Sequence, residues 1–357
     1  IIGTFGRAAW VLDDIRPLRA IAKNQNITKN KLAMFAPPTA YQAAYQQPTG
    51  SRFGADAMYQ GENRKSGAII SYYINNPKVD KKETKVKNKD DESLKQDLNE
   101  KKKTVKYDSI KLEIFDGERQ IRTLKFKTPK ENGVHKTRWN LDEKGVARPS
   151  RKISTSKREP SGVSVKPGTY KLKMTFGDVV SEQNIKVEFD PRLLISEDAI
   201  NQKYNTSKAL EIYQEKMSAI VKQLVESKNT ATSLKSQLTK EDKTKYKDEI
   251  KSSTKIIKKI DTLIALYLGK VDKRQGITRN PEVTVSQRFG TASYYVQSRF
   301  GNQTDTEKQL ILQFKESFKK AISETNTFFN NDWKKYKTST EKIYISPFKK
   351  TKIYSNN

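Results

Sequence analysis

The sequence predicts a multidomain chain in which β structure gives way to α: a lone opening strand, a β-sandwich of the immunoglobulin or fibronectin III kind, then an antiparallel α-helical bundle. Three observations predict it. Between residues 67 and 192, apolar residues alternate with polar ones in short runs, the period of half-buried strands. After Arg192 the apolar spacing lengthens to that of a helix and keeps it to about residue 340. And 357 residues exceed what one ordinary hydrophobic core organises, so two or three domains are expected.

In residues 1–22, Phe5, Trp10, Val11 and Leu12 stand between Gly3, Gly6 and the pair Asp13-Asp14. That is one short buried strand with turn chemistry on both sides. A single strand cannot bury itself, so its sheet is expected upstream, in a longer polypeptide of which this chain is a piece. Residues 23–66, rich in Asn, Gln, Pro, Ala and Gly, read as an irregular connector laid on its surroundings through Tyr41, Tyr45, Phe53 and Tyr59. Pro37-Pro38 holds part of it extended.

The sandwich, residues 67–192, opens with the apolar run 69–74. Residues 78–106 then carry almost nothing apolar and read as a mobile Lys-rich insertion. Ile110, Leu112 and Ile114 resume the alternation, Asp116-Gly117 turns it, and Ile121, Leu124 and Phe126 return it. Trp139 is the expected core anchor. Pro167-Gly168 leads into a hairpin with Tyr170, Leu172, Met174 and Phe176 going out, Gly177-Asp178 turning, and Ile185, Val187 and Phe189 coming back.

The bundle, residues 193–340, begins at a Ser196 cap with Leu210, Tyr213, Met217, Val221 and Leu224 on one face. A second helix is expected from Thr239 and Asp242 to Gly269. Residues 281–300 suit a shorter aromatic helix or a pair of turns. Thr304 and Glu307 form a capping-box signature ahead of a last helix with Phe314, Phe318, Ile322, Phe328 and Trp333. Residues 341–357 are a basic tail.

Composition narrows function. The chain has no cysteine and one histidine, His135, so thiol nucleophiles, thiolate metal sites and histidine clusters are excluded together. His135 itself reads as a packing or surface residue. Asp13-Asp14 and Asp90-Asp91 are neighbours in sequence and suit turns better than an acid/base pair, which needs carboxylates about 5–10 Å apart. No phosphate-cradling glycine motif and no apolar run long enough to span a bilayer occur. The net charge of +29 is spread over every segment, so binding to nucleic acid is expected to be unspecific. Phe289, Tyr294, Tyr295 and Phe300 near Arg288 and Arg299 are the candidate interaction surface, able to stack sugars or bases or to form the seam between the bundle and its neighbour.

An ordered set of motifs adds a resemblance. Gly3-Thr4-Phe5-Gly6-Arg7-Ala8-Ala9-Trp10, Gly67-Ala68-Ile69-Ile70-Ser71-Tyr72-Tyr73, Thr137-Arg138-Trp139-Asn140-Leu141, Pro167-Gly168-Thr169-Tyr170 and Val187-Glu188-Phe189-Asp190-Pro191-Arg192 resemble the closing region of the sortilin-like, BNR-repeat β-propeller proteins of Bacteroidetes, often labelled glycosyl hydrolases. The resemblance implies that residues 1–22 end a strand of an upstream β-propeller. It also implies an extracytoplasmic place: secreted, cell-surface or periplasmic. Any glycosidase chemistry would sit in the propeller, so no catalytic, cofactor-binding or metal residue is expected here, and no cofactor. The expected role is a non-catalytic interaction module that braces its own propeller and binds a protein partner at the envelope. The alternatives are an accessory region of a carbohydrate- or peptide-active hydrolase, with carbohydrate as ligand, and polyanion binding through the basic surface.

Overall fold

The computed structural model describes residues 14–43, 66–76, 107–271 and 282–344, together with the backbone of Ile2–Gly3 and Ala9–Trp10. The expectations for the Lys-rich insertion, for Tyr45, Phe53 and Tyr59, for Asp13, Asp90 and Asp91, and for most of the tail lie outside these residues. The chain is a mixed assembly of sheets and helices in two compact units, one of Ile1–Gly145 with Lys157–Ile195, the other of Val146–Ser156 with Ser196–Asn357.

In the first unit, β1 (Ile2–Gly3) pairs antiparallel with β2 (Ala9–Trp10), so part of the expected orphan strand has a partner within the chain. Helix α1 (Arg16–Lys23) follows, where the sequence suggested only a strand end; the Asp14 carboxylate accepts a bond from the Arg16 amide at 3.0 Å in its first turn. The connector expectation is corrected. Its described part carries β3 (Leu32–Met34) and β4 (Ala40–Gln42), each only three residues long and separated by the two prolines. At that length a period-two pattern is not legible.

Strand β5 (Ala68–Ile74) pairs with β3 on one side and with β8 (Gly133–Trp139) on the other. A five-stranded sheet runs β4, β12 (Val179–Phe189), β11 (Gly168–Phe176), β6 (Ser109–Asp116), β7 (Arg119–Lys127), all antiparallel except the short β4–β12 pair. Alternation decides which side chains go in. Ile110, Leu112 and Ile114 from β6, Leu172 and Met174 from β11, and Ile70 and Ile74 from β5 join one buried core with Trp139. The Trp139 indole N–H donates to the Asp142 carbonyl at 2.8 Å, so its polar edge is satisfied in the interior. A two-stranded ribbon, β9 (Asp142–Lys144) with β10 (Ser161–Ser164), flanks it. Between these strands the chain leaves the unit, which corrects the continuous 67–192 span. Gln214 donates to the Val146 carbonyl at 3.1 Å and Arg151 to the Gly269 carbonyl, both inside the second unit.

The second unit holds α2 (Glu197–Asp242), α3 (Lys247–Leu268), α4 (Val285–Ser298) and α5 (Asp305–Phe328). A π-helical turn, Phe329–Trp333, leads on to α6 (Lys334–Thr340). Their apolar faces make a core of their own, with Val221, Leu224, Ile260, Tyr267, Phe314 and Phe318 at its centre. Thr239 does not start the second helix: its hydroxyl donates back to the Lys235 carbonyl at 2.7 Å and buried Leu238 continues the stripe of α2. Asp242 instead organises the turn, its carboxylate accepting from the Thr244 and Lys245 amides at 2.9 Å each. No helix among the described residues is long and apolar enough to cross a membrane.

Candidate interaction surface

Helix α4 exists because Thr284 and Gln287 cap it reciprocally: the Gln287 amide donates to the Thr284 hydroxyl at 3.1 Å, and the Thr284 amide to the Gln287 side chain at 2.9 Å. Val285, Ala292 and Val296 then fall on one face and are buried. This divides the sequence candidates. Phe289 turns inward, its ring edge-on to Phe314 at 5.3 Å. Arg288 donates to the Gln313 side chain at 3.1 Å. Tyr294 and Tyr295 face solvent, 68% and 43% exposed, with centroids 6.0 Å apart.

The chain then turns sharply through residues 299–304 into α5. Thr304 caps α5, accepting from the Glu307 amide at 3.2 Å, but Glu307 does not complete the box. Its carboxylate is taken by Arg299, Nε to Oε2 at 3.0 Å, and by Gln303 at 3.2 Å. Both partners of this ion pair are buried, 7% and 1% exposed at the side chain. Nε and Oε2 meet off the axis of a hydrogen bond, so they and Nη2 remain without one. Arg299 also donates to the Gly301 carbonyl at 3.0 Å.

A third charge comes from far along the sequence. Lys203 of α2 donates to the Gln297 carbonyl at 2.6 Å and to the Arg299 carbonyl at 3.0 Å, capping the C-terminus of α4. Its ammonium lies 5.6 Å from the centre of the Phe300 ring, which is itself exposed. Burial, then repulsion from Arg299, pushes the Lys203 amine below its usual range, and Glu307 opposes both. Sequence reading missed Lys203, because nothing local in its own stretch of α2 marks it. The result is a fixed corner: a buried pair and a carbonyl-capping lysine hold the end of α4 and the turn after it, which carry the exposed rings of Tyr294, Tyr295 and Phe300.

Other features have the chemistry of structure. A cavity of about 550 Å³ is lined by Ala265, Leu266, Val285 and Ala321 with a charged rim. Two of its carboxylates are taken by lysines, Glu282 by Lys270 and Asp261 by Lys228, each at 2.6 Å. In the first unit Arg119 grips Glu143 at 2.9 and 3.1 Å and Asp116 at 3.0 Å, and Arg122 lies 3.6 Å from Asp142. Burial raises the Asp142 carboxyl against the pull of Arg122. His135 donates from Nε2 to the Glu131 carbonyl, 2.9 Å away, and its ring packs 5.9 Å from that of Tyr72. Among the described residues no three of His, Asp and Glu gather to hold a metal.

No protein-family model, no curated protein and no solved structure matches the chain.

Proposed function

We propose that the chain is a non-catalytic interaction module of a secreted or cell-surface β-propeller protein, and that it binds a protein partner through the corner of Tyr294, Tyr295 and Phe300. The observation that carries this reading is the exposure of three aromatic rings on backbone already immobilised by Arg299, Glu307 and Lys203. Large rings presented without further ordering are the usual anchors of protein interfaces.

An immunoglobulin or fibronectin III kinship for the first unit belongs to the same proposal. What supports it is two largely antiparallel sheets around Trp139, and Tyr170 at the start of β11. That tyrosine stacks edge-on to Trp139 at 5.5 Å and its hydroxyl donates to the Lys166 carbonyl, four residues upstream, at 2.7 Å. The upstream propeller and the extracytoplasmic setting rest on the resemblance of the ordered motifs.

The test is photo-crosslinking from position 294 of the full chain in envelope extracts. A single saturable adduct is expected, competed by unlabelled chain and lost in the folded double variant Tyr295→Ala/Phe300→Ala. An adduct that survives in that variant would sink the assignment of the corner.

A further inference from the structure

The outer face of α3 carries a second surface, independent of the aromatic corner. Lys247, Lys251, Lys255 and Lys258 are all exposed. At 100° per residue they fall within about 80° of one another, opposite Ile256, Ile260 and Leu263 in the core. Their spacing is close to one per helical turn, so the row covers about 16 Å of helix.

None of the four has a carboxylate partner among the described residues. The other lysine of this stretch, Lys259, is held by Asp332 at 2.6 Å, and Asp261 is held by Lys228. Asp248 and Glu249 sit in the first turn, where they serve the positive end of the helix dipole. No large apolar side chain of α3 is exposed, so the face has nothing to insert into a bilayer. No aromatic ring and no arginine stands in the row to stack or read a base.

We propose that this row binds a linear acidic polysaccharide with one carboxylate per sugar. Charge density argues for that class. One ammonium per turn, about 5.4 Å, is roughly 1.6-fold sparser than the one phosphate charge per 3.4 Å along a single strand of duplex DNA. It suits a polymer whose charges recur once per monosaccharide.

Because the whole chain is basic, the test holds net charge constant. Polygalacturonate binding is measured at physiological salt for the full chain, for K247Q/K251Q/K255Q/K258Q, and for K125Q/K127Q/K130Q/K136Q, which removes four exposed lysines of the first unit. The row variant should bind at least about tenfold more weakly, since four exposed charge pairs of a few tenths of a kcal/mol multiply. The control variant should stay within about twofold of the parent. Duplex DNA and phosphatidylglycerol vesicles should not separate the two variants. Equal losses of polygalacturonate binding in both, or no loss in either, would overturn the proposal. So would a row-selective loss seen only with DNA or with vesicles.

Discussion

Tyr72 on β5 is 2% exposed, its ring 6.0 Å from Phe126, and burial pushes its hydroxyl up to about 12. A phenol is charged only after it loses its proton, so burial here protects the neutral form. Below about pH 10 the folded and unfolded chains both keep that proton; between about 10 and 12 only the unfolded chain sheds it. Stability is therefore whole below that window and falls as pH rises through it, by roughly 3 kcal/mol for two pH units. Buried Tyr267 and Tyr336 are raised in the same direction and steepen the same limb in the helical unit. Tyr72→Phe should flatten the alkaline limb of the first unit, read as urea midpoints between about pH 9 and 12; a limb identical to the parent's would refute the account. Gly177 raises a steric matter instead. Its φ is +60°, and a Cβ there would lie 2.3 Å from the Tyr107 ring. That ring's hydroxyl donates to Asp178 at 2.6 Å and accepts from Lys31 at 2.9 Å. Gly177→Ala should cost about 2 kcal/mol or more in chemical denaturation, and Tyr107→Ala should remove the steric share of that penalty from the double variant while the share set by the positive φ remains.

Elements whose local pattern is long enough to repeat were legible in the sequence; elements set by single contacts were not. The β11–β12 hairpin shows nine to eleven residues of alternation per strand about Gly177-Asp178, and it forms with Gly168 opposite Val187. Strands β3 and β4 show three residues each, and what makes them strands is an edge offered by β5 and β12. The helix starts carry the same lesson. Thr304 and Glu307 spell a capping box, but the carboxylate goes to Arg299; Thr284 and Gln287 spell one as well, and there it closes on both sides. Of the candidate corner, the aromatic residues could be read from sequence, whereas Lys203 could not, since folding alone brings α2 against the end of α4. Thr284→Ala should thus cost about 1–2 kcal/mol and reduce helicity, since the hydroxyl that accepts from the Gln287 amide is lost at a buried cap and that amide is left unpaired there. Thr304→Ala breaks the matching bond at an exposed cap, where water can replace it, and should cost less, about 1 kcal/mol. Denaturation curves giving the reverse order would refute this ranking of the two caps by burial.

At the scale of the whole molecule, two apolar cores are built from separate stretches of chain: one around Trp139, Leu172 and Met174, the other around Tyr267, Phe314 and Phe318. Each large buried side chain should therefore report on its own unit. Trp139→Ala removes a fully buried indole and leaves the Asp142 carbonyl without its donor, a loss of roughly 3–5 kcal/mol. Phe314→Ala opens a cavity beneath the rings of Tyr213, Phe289 and Phe318, at a similar cost of about 3–5 kcal/mol. Apart from the eight residues of α1, the long helices lie in the second unit, so far-ultraviolet circular dichroism at 222 nm chiefly follows α2 to α5. Of the three tryptophans, Trp10 and Trp139 belong to the β unit and Trp333 to the helical one, so tryptophan emission reports on both units. In urea, Trp139→Ala should advance the loss of sheet packing while the helical midpoint stays within error of the parent. Phe314→Ala should do the opposite. A chain with two cores need not unfold in one step, and a single transition displaced equally by both variants would mean that the two cores fold as one.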